Sequence, residues 1–476
     1  MLFTIWFAAA LTWTGNESCR PCHRALYDHY VSTPMARTSG PVDADITPGK
    51  FRHKPSGVQY SIDDNGRVHW STSTLSGVRQ LNYYIGSGMA GRSYLFVTDN
   101  FLFQAPVTWY TQQKRWDVSP GYEADRTSRW SRPIEPNCLY CHASQARPIY
   151  GTQNRYADPP FAQSGVACER CHGPGSEHIL GRGSMINPAK LGAAERDSVC
   201  SQCHLSGAAR IEKAGRRIAE NRAGNDLNDF VAYFVPAATD GGAMRATSHM
   251  EKLEASACKK ASGDKLWCGT CHSPHQTAVS KQAACMSCHP INQCGRGEDC
   301  TSCHMPKAKV VDGGHGVLTD HSIPRRAMAK SRKDPEWRLE PFRGFTATTR
   351  ELGLAYAEAG ETSSNSSQLS EAERLMRSAP ADAAVLTRLG KWEAALKADP
   401  NSVVAMVNLG VLRAAAGDHA SAESLWRQAL QRNPGLTAAG VNLVTLLQAS
   451  GRTQQAEKLL QQLRMFEPQL VPAKPR

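Results

Sequence analysis

Between Cys268 and His304 the chain reads Cys268-Gly-Thr-Cys271-His272, Cys285-Met-Ser-Cys288-His289 and Cys300-Thr-Ser-Cys303-His304. Three copies of Cys-x-x-Cys-His within 37 residues leave no polypeptide for an ordinary folding unit around each. Four more copies stand upstream: Cys19, Cys22 and His23; Cys138, Cys141 and His142; Cys168, Cys171 and His172; Cys200, Cys203 and His204. Roughly 0.02 copies are expected by chance from the Cys and His content. The spacing carries a specific chemistry. Thiols at i and i+3 add across the two vinyl groups of a haem, and the next residue places its imidazole on the iron. A zinc ribbon also uses paired Cys-x-x-Cys, but nothing in it requires His after every second Cys. The chain therefore predicts seven covalently bound c-type haems, with His23, His142, His172, His204, His272, His289 and His304 as proximal ligands.

Across 138–304 the motifs recur roughly every 28 residues. That is too little chain for an apolar core of the usual kind, so the porphyrins themselves must form it, joined by short helices and loops. Groups so crowded lie nearly in contact, which suits electron relay.

Fourteen of the 16 Cys belong to motifs, leaving Cys258 and Cys294. So many thiols, and this mode of haem attachment, predict a bacterial protein exported to the periplasm or beyond, where the two spare thiols pair as a disulfide. The apolar run Leu2–Trp13 is too short to span a bilayer and reads as a signal-peptide core, its positive flank missing, with a packed N-terminal strand as the alternative. No other stretch is apt to span a membrane. The formal charge of +12 invites a nucleic-acid reading. Fourteen propionates and one net positive charge per ferric core reduce it to about +5 oxidised and about −2 reduced, so the Lys and Arg excess answers propionates.

In chain order, residues 1–14 are the expected leader remnant and 15–40 the first haem segment, a helix from Cys19 stopped before Pro34. Residues 41–135 hold no motif and alternate like strands. Val58–Ile62 and Arg67–Trp70 flank Asp64-Asn65-Gly66, a hairpin signal, and Tyr94–Thr98, Phe101–Gln104 and Val107–Tyr110 follow. Gly86-Ser-Gly88-Met-Ala-Gly91 matches a dinucleotide fingerprint in letters only, because a strand pattern rather than a helix follows it. Residues 136–330 carry six motifs, and 331–345 read as a charged linker. Beyond it, 346–470 follows a 34-residue frame before the tail 471–476. Met406, Leu409, Gly410, Ala422, Trp426, Ala429 and Pro434 recur as Leu443, Ala456, Leu460 and Pro468, the tetratricopeptide pattern of stacked helix pairs. An earlier unit opens at Leu352-Gly353 and is interrupted by a polar insert, Glu361–Gln368. The predicted fold is mainly α with little regular structure in a multihaem core, a small β-meander insert, and a C-terminal α-solenoid.

The nine remaining His are His29, His53, His69, His178, His249, His275, His315, His321 and His419. Cys168-Glu-Arg-Cys171-His172-Gly173-Pro174-Gly175-Ser-Glu-His178, Cys271-His272-Ser-Pro274-His275 and Cys303-His304-Met-Pro306 with Asp320-His321 resemble the multihaem cytochromes related to the nitrifiers' tetrahaem cytochrome and hydroxylamine oxidoreductase. That resemblance, over residues 16–325, implies that His178 and His275 are distal ligands, usually of haems other than the adjacent one, and suggests His249, His315, His321 and His53. Twelve residues after the first proximal His the family commonly has a distal His. Here that place is Met35, so the first haem is either Met/His-ligated or open.

Two functions follow. The first is an electron-transfer cytochrome of mostly bis-His haems whose repeats dock redox partners or sister subunits, up to an extracellular filament. The second is an oxidoreductase of the hydroxylamine or nitrite type with one open haem. The tally of seven distal candidates, and the lack of a Cys-x-x-Cys-Lys motif, favour the first.

Overall fold

The computed structural model describes residues 12–42, 46–237, 243–276, 281–289, 299–324 and 337–470. Cys294 and residues 1–11 lie outside them, and with Cys294 the expected Cys258–Cys294 disulfide.

Residues 39–118 fold as two antiparallel sheets rather than a small meander. One has four strands in chain order, Gly49–Arg52, Gln59–Ile62, Arg67–Ser71 and Ser76–Gln80. The expected hairpin forms with Tyr60 opposite Trp70 and Ile62 opposite Val68. Asp63 Oδ1 accepts from the backbone N–H of Asn65 and of Arg67, both at 2.9 Å, and Gly66 takes the positive φ (70°) that the turn demands. The other sheet has five strands: Ser39–Pro41, Tyr83–Ile85, Arg92–Thr98, Phe101–Tyr110 and Arg115–Val118. Pro106 does not split its fourth strand. A register shift between Ser93 and Leu95 on the partner strand absorbs the missing N–H, so Phe101–Tyr110 runs unbroken. The glycine-rich stretch 86–91 joins two of these strands. Between the sheets lies an aromatic core that includes Tyr60, Trp70, Tyr94, Phe96, Phe103, Trp116 and Trp130.

The haem-motif region is mixed, not mainly α. Short helices carry the motifs: Arg20–Tyr30, Pro136–His142, Glu169–His172, Ala193–His204, Cys268–Cys271 and Cys300–His304. Four of them end on the proximal His itself. Between them run the hairpins Ser144–Pro148 with Tyr156–Gln163 and Lys307–Lys309 with Val317–Thr319, and a three-stranded sheet of Ala209–Glu212, Val231–Pro236 and Leu339–Pro341. The last strand corrects the linker expectation. Leu339 pairs with Pro236, and Phe345 stacks edge-on to Tyr233 at 5.4 Å, so this segment is held by burial on the sheet.

Eight helices then pair: Thr349–Ser363 with Ser366–Ser378, Ala383–Arg388 with Trp392–Ala398, Val403–Ala415 with His419–Arg432, and Thr437–Ala449 with Thr453–Leu463. The presumed polar insert is simply the turn of the first pair. Ser364 adopts the left-handed conformation and the Asn365 side chain caps the next helix. Small residues set the pair spacing: a Cβ on Gly410 would sit 2.4 Å from Trp426 Nε1. The array is anchored to the rest of the chain at both ends. Leu354 and Tyr356 pack with Ile211 and Phe234 at one end, and Phe466 lies 5.0 Å from Phe103 at the other. Among the described residues no helix is long and apolar enough to cross a membrane.

Candidate haem centres

The proximal imidazoles are placed by the ends of their short helices and are met by rings from remote segments. His23 faces His178 with centroids 6.2 Å apart and planes 20° from parallel. His172 faces His275 at 5.8 Å and 11°. His272 faces His321 at 6.1 Å and 32°. A metal–imidazole bond of about 2 Å, and a little over 1 Å from nitrogen to ring centre, put two trans imidazoles on one iron about 6 Å apart. These three pairs have that spacing. His204 and His249 lie 5.1 Å apart at 87°, and His249 and His321 4.9 Å apart, so two pairs share one imidazole cluster.

Backbone carbonyls orient the rings. Nδ1 of His172 donates to Ile186 O (2.7 Å), His178 to Gly183 O (3.0 Å), His304 to Pro324 O (2.8 Å) and His321 to Thr319 O (3.0 Å). An Nδ1–H held this way selects the tautomer whose Nε2 is the metal-binding nitrogen. Burial also pushes the rings toward the neutral form that ligates metal. It holds His142 down to about 4, and with its imidazole neighbours it holds His249 at about 3. Burial and then His172 lower His275.

Met35, the sequence candidate opposite His23, begins the short turn Met35–Arg37, and the ring 6.2 Å from His23 is that of His178. The Thr38 hydroxyl lies 2.8 Å from His142 O and 3.1 Å from Met35 O. His53, the other candidate from this end of the chain, lies in the β-region. It is 6% exposed there, its Nδ1 2.8 Å from Ser56 Oγ and its Nε2 3.1 Å from Glu123 O. His315 packs edge-on against Tyr110 at 4.7 Å, and its Nε2 lies 2.9 Å from Asp117 Oδ2 and 2.8 Å from an Arg115 nitrogen.

The motif thiols converge across the chain. The thiols of Cys19 and Cys168, of Cys141 and Cys203, and of Cys200 and Cys268 lie close enough to shift one another's titration. Burial and then Cys285 raise the thiol of Cys271, and burial and then Cys300 raise that of Cys285. Sequence reasoning missed what holds the first four motifs together: the residues between their cysteines. Glu169, within the third motif, accepts from Thr14 and Gly15 before the first motif. Arg170 donates to Tyr140 O (2.9 Å) and lies 3.7 Å over the Tyr140 ring. The Tyr140 hydroxyl donates to Gln202 Oε1 (2.8 Å), tying the second motif to the fourth. A charged pair inside an otherwise small-residue motif was the available signal. These contacts also hold Thr14 and Gly15, the last residues before the first motif's turn, against the third motif.

The residues present fit haem. Each motif offers thiols and an imidazole, and the buried nitrogens His142 Nδ1, His249 Nδ1 and Arg170 Nε lack a hydrogen-bond partner among the described residues.

Comparison with known proteins agrees. Residues 108–173, which contain the second and third motifs, match the family of cytochrome c554 and c-prime, and residues 413–473 match the tetratricopeptide repeat. The multiheme cytochrome MtrA of Shewanella baltica (strain OS185) is 26% identical over 205 residues, 39% of this chain and 57% of that protein. The chain thus spans little more than half the length of this relative. The outer cell wall cytochrome OcwA aligns over 95% of this chain and 99% of its own at 15% identity, with a TM-score of 0.42. By its seven motifs and by the matches at residues 108–173 and 413–473, the chain is similar to multihaem c-type cytochromes and ends in tetratricopeptide repeats.

Proposed function

We propose that the chain relays electrons through seven c-type haems held by the fourteen motif cysteines, and that it works outside the cytoplasm. When bound, the haems supply reversible one-electron chemistry; the protein supplies their spacing, ligation and burial. One observation supports the reading: His23, His172 and His272 each lie 5.8–6.2 Å from the imidazole of a remote segment. The proposed axial pairs are His23/His178, His172/His275, His204/His249 and His272/His321. His142, His289 and His304 take their sixth ligands elsewhere, with Met35 beside His142. His315 would have to leave Asp117 to serve. Export follows from the chemistry of attachment, which is made outside the cytoplasm. Tetratricopeptide arrays bind other proteins, and a redox partner or sister subunit is the proposed one here.

The test is to count and wire the haems in the purified holoprotein. Intact mass should show seven per chain, and electron paramagnetic resonance during a potentiometric titration should show magnetically coupled low-spin irons. Fewer than seven haems, or seven non-interacting ones, would overturn the relay.

A further inference from the structure

Two buried glutamates stand outside the haem chemistry itself, and each joins the backbone of one motif segment to the helix that carries the facing imidazole. Glu169 is 1% exposed. Its Oε1 accepts from Thr14 N (2.8 Å), Thr14 Oγ1 (3.2 Å) and Gly175 N (2.7 Å), and its Oε2 accepts from Gly15 N (2.8 Å). Thr14 and Gly15 lead directly into the turn Asn16–Cys19 and so to His23. Gly175 is the N-cap of Ser176–Ile179, which carries His178. The packing leaves no slack: a Cβ on Gly175 would lie 3.0 Å from Thr14 Oγ1 and 3.3 Å from Glu169 Oε1. A carboxylate belonging to the third motif therefore spans the two backbones between which the first motif's imidazole pair is spaced.

Glu251 repeats the device at the fourth motif. It is 5% exposed and lies two residues after His249 on the helix His249–Ala255. Its Oε1 accepts from the backbone N–H of Ser206 (2.8 Å) and of Gly207, the second and third residues after His204. Its Oε2 is buried without a hydrogen-bond partner among the described residues. Backbone N–H groups buried at these places need an acceptor, and a neighbouring helix that brings one is thereby held at a set distance.

We propose that Glu169 and Glu251 are positioning residues, each a buried bracket that sets the gap between a proximal imidazole and the imidazole facing it. The inference rests on the pairs His23/His178 and His204/His249 proposed above. It makes an asymmetric forecast. At 251 only one oxygen accepts, so an amide can replace the carboxylate. At 169 both oxygens accept, and an amide nitrogen would meet the Gly15 N–H donor to donor.

The experiment compares Glu169→Gln, Glu169→Ala, Glu251→Gln and Glu251→Ala with His178→Ala and His249→Ala, all as full-length holoprotein. Resting electron paramagnetic resonance, carbon monoxide binding to the reduced protein, haem-to-protein ratio and Tm are read for each. Each His variant is expected to convert one low-spin iron per chain to high spin and to admit one carbon monoxide. Glu169→Gln, Glu169→Ala and Glu251→Ala should reproduce that conversion in whole or in part with the haem ratio unchanged, while Glu251→Gln stays low-spin. If the His variants convert one iron each and the Glu variants stay low-spin, the bracket proposal falls and the pairing stands. If the His variants convert none, the pairing falls and takes the brackets with it. Uniform loss of haem from all four Glu variants would also overturn the proposal, because it marks a general folding role.

Discussion

The rings of His172 and His275 stack 5.8 Å apart and 11° from parallel, although 103 residues of chain separate them. Tyr30 closes the site from the first motif's helix, edge-on to His275 at 6.3 Å. If this pair brackets one iron, His275→Ala should turn one low-spin haem per chain into a high-spin one. His53→Ala should change no spin state, because both ring nitrogens of His53 are engaged by Ser56 and Glu123. Low-temperature magnetic circular dichroism of the two variants separates these outcomes, and a high-spin haem in His53→Ala would assign His53 a ligand role.

The repeats are built into the molecule. Phe466 is buried against Phe103, Trp130 N donates to Phe466 O at 2.7 Å, and Asn433 donates to Gln153 Oε1 at 2.8 Å. Truncating a well-packed Phe costs about 3–5 kcal/mol. Phe466→Ala should therefore lower the Tm of the β-region and not only that of the last helix pair. Removing residues 346–476 should go further and reduce haem incorporation, since it strips the cover from Phe103 and from the sheet of Ala209–Glu212. A truncated protein with full haem content and unchanged Tm would mark the repeats as a detachable arm.

Glu423 links successive repeats. Its carboxylate takes Arg452 at 2.7 Å and Arg427 at 2.8 Å, and Arg452, against the opposing effect of burial and with help from Arg427, holds it below the usual carboxylate range. A carboxyl depressed in the folded state adds stability above its unfolded value of about 4.3, and that increment is lost as pH falls through the lower folded value. The pair is partly exposed, so a few tenths of a kcal/mol up to about 1 kcal/mol is expected. Denaturant titration of Glu423→Gln against the parent should show that deficit at pH 7 and none near pH 3. An equal deficit at both would assign the effect to packing.

Some of this was legible in the letters because the information is local. Thiols at i and i+3 with an imidazole at i+4 are defined within one helical turn, so seven attachment sites could be read without a fold. The 34-residue period was equally visible, because each repeat buries its small residues against the next, as Gly410 does against Trp426. Asp64-Asn65-Gly66 likewise announced its hairpin through turn chemistry alone.

The sheets, the pairing of imidazoles and the brackets were not legible in this way. A ladder such as Leu339 with Pro236 joins segments whose local patterns look like a linker. His23 and His178 are 155 residues apart, and Met35 stood nearer in sequence and fitted a spacing rule, yet the ring 6.2 Å from His23 is that of His178. Sequence by itself determined which motif this chain carries and that it carries seven copies. Tertiary structure decided which imidazole faces which and what holds them apart, because ring spacing is a product of long-range packing and of buried carboxylates such as Glu169, whose partners no local pattern names.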